Sequence, residues 1–159
     1  HDIWLFDYLR NEIGMEVVDG GLVVEHSGKR FYLAHGDALG SLKPGFKFIR
    51  AIFRNKFCQW FYKLIPPCWT VPFAHAWSAH SRENGKKYVV KEPESDRYVQ
   101  FAYEFNAQNP GSEADFFVFG HRHVVFNYHP AKMPKSAVII LGDWIDHTTY
   151  GVFDGQNFN

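Results

Sequence analysis

Residues 115–123 read DFFVFGHRH: an aspartate, four consecutive apolar side chains, then a glycine and two histidines around an arginine. Four apolar positions without alternation suit a strand covered on both faces, the condition found in parallel sheets wrapped by helices. Gly120 lets the backbone turn sharply where the run stops. His121 and His123 then leave the strand end on one loop, toward neighbouring points, an arrangement that suits two adjacent metal ions. Loops held by a rigid sheet are where functional side chains concentrate.

Working outward, 21–26 (GLVVEH) and 30–35 (RFYLAH) are short runs rich in β-branched and aromatic residues, joined by Ser27-Gly28-Lys29. That pattern predicts a hairpin. Its second strand ends at His35-Gly36-Asp37, where His35 can supply a further imidazole and Asp37 a carboxylate behind it. Later strands are expected over 124–128, 137–141 and 150–153. Helices are expected over 3–13, ended by Gly14, and over 96–108, capped by Ser95. A third runs from Pro44 to Leu64, with Phe46, Ile49, Phe53, Phe57, Trp60 and Leu64 along one face, Lys43, Lys47, Arg50 and Arg54 along another, and a break near Asn55. Pro66-Pro67 ends it. A second helical stretch over 71–80 leads into a loose polar turn over 82–87. No internal repeat or low-complexity segment is present.

At 159 residues the chain fits one domain, and 46% hydrophobic with 18% aromatic residues excludes disorder. No uninterrupted apolar stretch reaches the ~20 residues needed to span a bilayer, so a soluble or surface-bound globular protein is expected. The first residue is His1 and no secretory signal pattern follows it, which suggests a processed or shortened start. Cys58 and Cys68 form no Cys-x-x-Cys pair and read as reduced, buried thiols. The formal net charge is zero, yet residues 43–87 hold nine Lys/Arg against one Glu. That segment is suited to an anionic surface or ligand. Its basic residues alternate with apolar aromatics along one helix, which speaks against a nucleic-acid partner.

A lone histidine after a strand is more often a hydrogen-bonded surface residue than a ligand. His35 alone would be read that way, and His26, His75, His80, His129 and His147 are read as cap or surface residues. The Gly-His-x-His spacing together with a second histidine at a strand end favours a metal centre.

The segments LAHGD at 33–37, FGHRH at 119–123 and ILGDW at 140–144 resemble, in order, motifs of the calcineurin-like metallophosphoesterases. His1-Asp2 resembles the tail of that family's Gly-Asn-His-Asp motif. The resemblance implies an α/β fold: residues 1–159 would be a single partial domain, the C-terminal portion of a four-layer α/β/β/α sandwich with a helical cap insertion at about 43–87. It implies that His35 and His121 bind one metal, that His123 binds another, and that His1 assists the leaving group or contacts phosphate. Two divalent ions are implied, Mn first, with Zn or Fe as alternatives. The family's Asp-x-His and Gly-Asp-x-x-Asp motifs would precede His1, so a further N-terminal half-domain is expected.

Within that family the helical insertion and LGDW are similar to the UDP-2,3-diacylglucosamine diphosphatases of lipid A synthesis. This implies hydrolysis of the substrate's pyrophosphate bond to UMP and 2,3-diacylglucosamine 1-phosphate, in the cytoplasm or peripherally on the inner membrane face. Ser81, Arg82 and Lys86 would then hold the lipid-linked nucleotide sugar. Many of those enzymes have arginine where this chain has His1. The competing readings are another calcineurin-like phosphodiesterase acting on a nucleotide, and a non-catalytic peripheral module that binds anionic lipid.

Overall fold

A computed structural model describes residues 6–37, 39, 44–84, 89–144 and 146–159, with residues 6, 46 and 80–84 described by their backbone alone. The fold is mixed α/β, and the chain divides into two compact units. One comprises His1–Val17 and Leu42–Lys87, the other Val18–Ser41 and Tyr88–Asn159.

The second unit contains one five-stranded sheet formed by β1 (Gly21–His26), β2 (Lys29–Ala34), β3 (Phe116–Phe119), β4 (Val125–Tyr128) and β5 (Ala137–Leu141), in the order β1-β2-β3-β5-β4. The strand predicted from 115–119 is the centre of the sheet. It runs parallel to β2 on one side and to β5 on the other, and all four of its residues are buried. Phe117 and Phe119 pack with Tyr98, Val99 and Ala102 of the helix Arg97–Gln108 and with Val138 and Ile140. Phe116 and Val118 point the other way, into a cluster with Phe31, Ala137 and Ile139, against which Phe153 and Phe158 pack.

β1 and β2 pair antiparallel from Gly21↔Ala34 to His26↔Lys29. The connection is two residues rather than three, because Ser27 (φ 51°) and Gly28 (φ 72°) both take the left-handed conformation that a tight hairpin demands. The C-terminal strand expected over 150–153 is absent among the described residues: an isolated bridge joins Phe153 to Phe158.

The cap of the helix Arg97–Gln108 is Asp96, not Ser95. The Asp96 carboxylate accepts from Tyr98 N at 2.8 Å, whereas Ser95 ends a short 3-10 turn, Pro93–Ser95. At the other end of this helix, Asn106 Oδ1 accepts from Ala114 N at 2.8 Å, and Asn106 Nδ2 donates to Ala114 O at 3.2 Å. These bonds fix the approach to β3.

The first unit is helical. Taken in chain order over the whole protein, its elements are α1 (Phe6–Asn11), α2 (Pro44–Arg54), α3 (Lys56–Lys63) and α4 (Pro67–Asn84), and Arg97–Gln108 is α5. α1 closes as expected, with Gly14 at φ 73° and Met15 N donating to Leu9 O at 3.0 Å. The break near Asn55 is also present. Its side chain accepts from Phe57 N at 2.9 Å and Cys58 N at 3.2 Å, so it starts α3 as a cap.

α4 begins earlier than expected. Pro67 starts it, since a first-turn residue has no intrahelical use for an N–H, and Pro72 lies within it. The helix also continues to Asn84, so the turn expected from 82 is helical over its first three residues. The stripe on α2 and α3 is not core: Phe57 is 70% and Leu64 62% exposed, and Trp69 on α4 is 71% exposed. Cys58 and Cys68 are free thiols, but half-buried and exposed rather than buried. Among the described residues no helix is long and apolar enough to cross a membrane.

Candidate metal centre

The register Ala34↔Phe119 places the ends of β2 and β3 side by side, so the residues that follow them leave the sheet at neighbouring points. His35 follows one strand directly and His121 follows the other after Gly120. The His35 Nε2 and His121 Nδ1 atoms lie 3.2 Å apart, with ring centroids 4.9 Å apart and planes at 72°.

Burial pushes the His121 imidazole down to about 4, and the His35 ring beside it acts in the same direction. At neutral pH His121 is therefore neutral, the form that ligates a metal. Two nitrogens at this separation are within reach of one cation at the usual Zn–N length of ~2.0–2.1 Å.

The Gly-His-x-His loop is locally constrained. Arg122 N donates to Gly120 O at 2.8 Å, closing a three-residue turn around His121, whose φ is 66°, and His123 follows at φ 52°. Left-handed backbone at a non-glycine residue costs roughly 1–2 kcal/mol, so surrounding interactions must hold this loop in shape.

A third strand end meets the same loop through His123. β5 stops at Leu141, Gly142 turns at φ 78°, and the Asp143 side chain, only 7% exposed, faces two imidazoles. Its Oδ2 lies 3.0 Å from His123 Nδ1 and 3.3 Å from His147 Nδ1. Its Oδ1 accepts from Asp146 N at 2.6 Å and from His147 N at 3.1 Å. The Asp146 N–H is the main cause of a carboxyl held far below the usual range, with the His147 and His123 contacts adding to it. An ionised carboxylate only accepts, so His123 carries its proton on Nδ1 and leaves Nε2 for a ligand.

The predicted residues thus form a pair, His35 with His121, and a carboxylate-oriented His123. Among the described residues no group of three or more His, Cys, Asp or Glu side chains is close enough to hold one ion. The donor set therefore fits a divalent transition metal in kind and falls short of one in number. Of the remaining candidates, Ser81 lies on α4 with Arg82, both described by backbone alone, and His1 and Lys86 lie outside the described residues.

Asp143 and His147 were not among the expected site residues. The available signal was ILGDW itself: an apolar run, a glycine and an acid, the same grammar as LAHGD. Replacing Asp143 with alanine is expected to weaken Mn²⁺ binding about 10–100-fold by freeing the His123 ring. Titration of the purified variant beside the wild type checks this, and equal affinity would rule out the orienting role.

Comparison with known proteins gives two matches. A curated protein of Porphyromonas gingivalis named UDP-2,3-diacylglucosamine hydrolase is 38% identical over 98% of this chain and 63% of its own length. The chain is similar to UDP-2,3-diacylglucosamine hydrolases. A second such hydrolase, from Aeromonas hydrophila subsp. hydrophila, is 24% identical over 91% of this chain and 58% of its own length. The likeness to the UDP-2,3-diacylglucosamine diphosphatases, read from the helical insertion and LGDW, is borne out. No protein-family profile matches the chain. It spans about three-fifths of the length of the hydrolases it matches, 63% and 58% respectively.

Proposed function

We propose that the protein acts as a metal-dependent phosphohydrolase on the pyrophosphate bond of UDP-2,3-diacylglucosamine, releasing UMP and 2,3-diacylglucosamine 1-phosphate. The observation that carries this reading is the meeting of His35 and His121 at 3.2 Å on adjacent parallel strand ends. The similarity to two hydrolases bearing that substrate's name supports the choice of substrate. In this reading residues 1–159 are the C-terminal portion of a four-layer sandwich with a cap at about 43–87.

His35 and His121 would hold one ion and His123 another, Mn first and Zn or Fe as alternatives, since imidazole suits these better than Mg. When bound, such ions neutralise charge that develops on phosphorus. The protein's own part is to present neutral imidazoles and fix their rings. The resemblance assigns the leaving-group or phosphate contact to His1 and substrate contacts to Ser81, Arg82 and Lys86.

The test is UMP release from UDP-2,3-diacylglucosamine with Mn²⁺ present, abolished by EDTA and restored by added Mn²⁺. Release that survives the chelator would remove the metal from the reading. Cleavage confined to nucleotide phosphodiesters without acyl chains would favour the nucleotide-directed alternative.

The substrate's acyl chains and a cytoplasmic, inner-face location would explain the exposed aromatic side chains of Phe48, Phe57, Trp60 and Trp69 among the lysines of 43–87. Apolar rings with interspersed cations suit an anionic interface. Sedimentation with vesicles containing anionic lipid is expected at low salt and is expected to weaken at 0.5 M NaCl. Equal recovery with neutral and anionic vesicles would refute the charge contribution.

A further inference from the structure

Arg122 stands between the two histidines of the Gly-His-x-His loop but turns away from them, into the protein. Its Nη1 lies 2.5 Å from Asp96 Oδ2, with the two side chains only 7% and 1% exposed. The guanidinium also lies over the Tyr98 ring, 3.9 Å from the centroid. The Tyr98 hydroxyl donates to Gly36 O at 3.1 Å, on the residue next to His35. Gly36 sits at φ 96°, where an added Cβ would come within 2.5 Å of that hydroxyl. One connected group at the start of α5 thus grips both histidine loops from behind.

We propose that Arg122 is a positioning residue, whose contacts with Asp96 and Tyr98 lock the His121 and His35 loops together so that their imidazoles meet in one arrangement. The chemistry requires arginine in particular. A planar guanidinium can pair with a carboxylate along its edge while its face lies on an aromatic ring, and an ammonium cannot do both. The backbone supplies the need, because His121 and His123 on either side of Arg122 both hold left-handed φ values. With Arg122 anchored, the turn between them has no freedom to relax, and the His121 ring stays against His35. This inference rests on the metal reading of those histidines only for its effect on affinity, since the locking of the loops is a property of the protein alone.

A buried ion pair could instead serve the fold and nothing else, so the experiment must separate the two roles. Asp96→Asn keeps an oxygen to cap α5 but removes the carboxylate charge that faces the buried guanidinium. The double variant Asp96→Asn/Arg122→Met removes both charges, and such replacements are often neutral for stability. The double variant is expected to melt near the wild-type temperature yet bind Mn²⁺ about 10–100-fold more weakly, the range typical when a ligand loses its orienting partner. Its amides at 121–123 are expected to exchange with deuterium at least ten-fold faster. Tyr98→Phe, which removes only the hydroxyl bonded to Gly36, is expected to shift affinity the same way and covers the case in which the double variant fails to fold.

Wild-type affinity and wild-type exchange in a stable double variant, or in Tyr98→Phe when the double variant does not fold, would overturn the proposal. If the wild type binds no Mn²⁺, the metal reading falls by itself. Exchange at 121–123 then decides the locking claim, faster exchange upholding it and unchanged exchange overturning it.

Discussion

A chain carrying His121→Ala together with His123→Ala is expected to retain no Mn²⁺ or Zn²⁺ after dialysis, under conditions in which the wild type does. The change removes one member of the pair at 3.2 Å and the ring that Asp143 orients, leaving His35 without the imidazole that faces it. Loss of direct ligands should exceed the ~10–100-fold effect of losing an orienting partner. The fold should survive, because neither ring belongs to either buried cluster. Elemental analysis with a far-ultraviolet circular dichroism control reads both points. Undiminished metal in the folded double variant would place the ion elsewhere and remove the basis of the phosphohydrolase reading.

Phe117→Ala is expected to destabilise the protein by about 3–5 kcal/mol, the usual result of emptying an aromatic site in a packed core. Phe117 is fully buried in the central strand, and its ring lies among Tyr32, Phe101 and Phe105, with centroids 5.9, 6.5 and 5.7 Å away. Domains are typically stable by only ~5–15 kcal/mol, so much of the margin would go. A lowered denaturant midpoint at unchanged slope is the signature to seek. A change below about 1 kcal/mol would contradict the description of β3 as a strand packed on both faces. Because the same strand delivers the histidine loop, metal affinity is expected to fall along with stability.

What could be read in advance followed from local chemistry with one outcome. The unbroken apolar run of β3 has no stable place but a covered strand, and Asn55 inside an amphipathic pattern breaks it by accepting backbone N–H groups. Where two residues offered the same chemistry, the sequence could not choose. Ser95 and Asp96 are both good helix caps, and the turn opened by Pro93 gives the role to Asp96. Pro67 reads equally as the end of one helix or the first residue of the next.

The strand-end histidines were legible because a glycine follows or precedes each motif at an abrupt change from apolar to polar. Asp143 has no site role in that reading and His147 is read as a cap or surface residue, since the meeting of His123 and His147 with Asp143 depends on the left-handed turn at Gly142 and on a sheet order that skips along the chain. Ser27-Gly28 shows the same limit in miniature: the composition announces a hairpin, while the backbone angles fix its length.

The sheet order has a kinetic meaning as well. His35 and His121 are 86 residues apart in the chain and become neighbours only when β2 pairs with β3. Such distant pairing is slow, because the closure entropy is spent before any contact is gained. The two imidazoles therefore come together only as the sheet joins, and neither strand end alone presents the pair. The same arithmetic is lenient toward the intervening helical segment, since doubling a closed loop adds only ~0.6 kcal/mol. Its length and surface can drift widely while the histidines at either end continue to find each other.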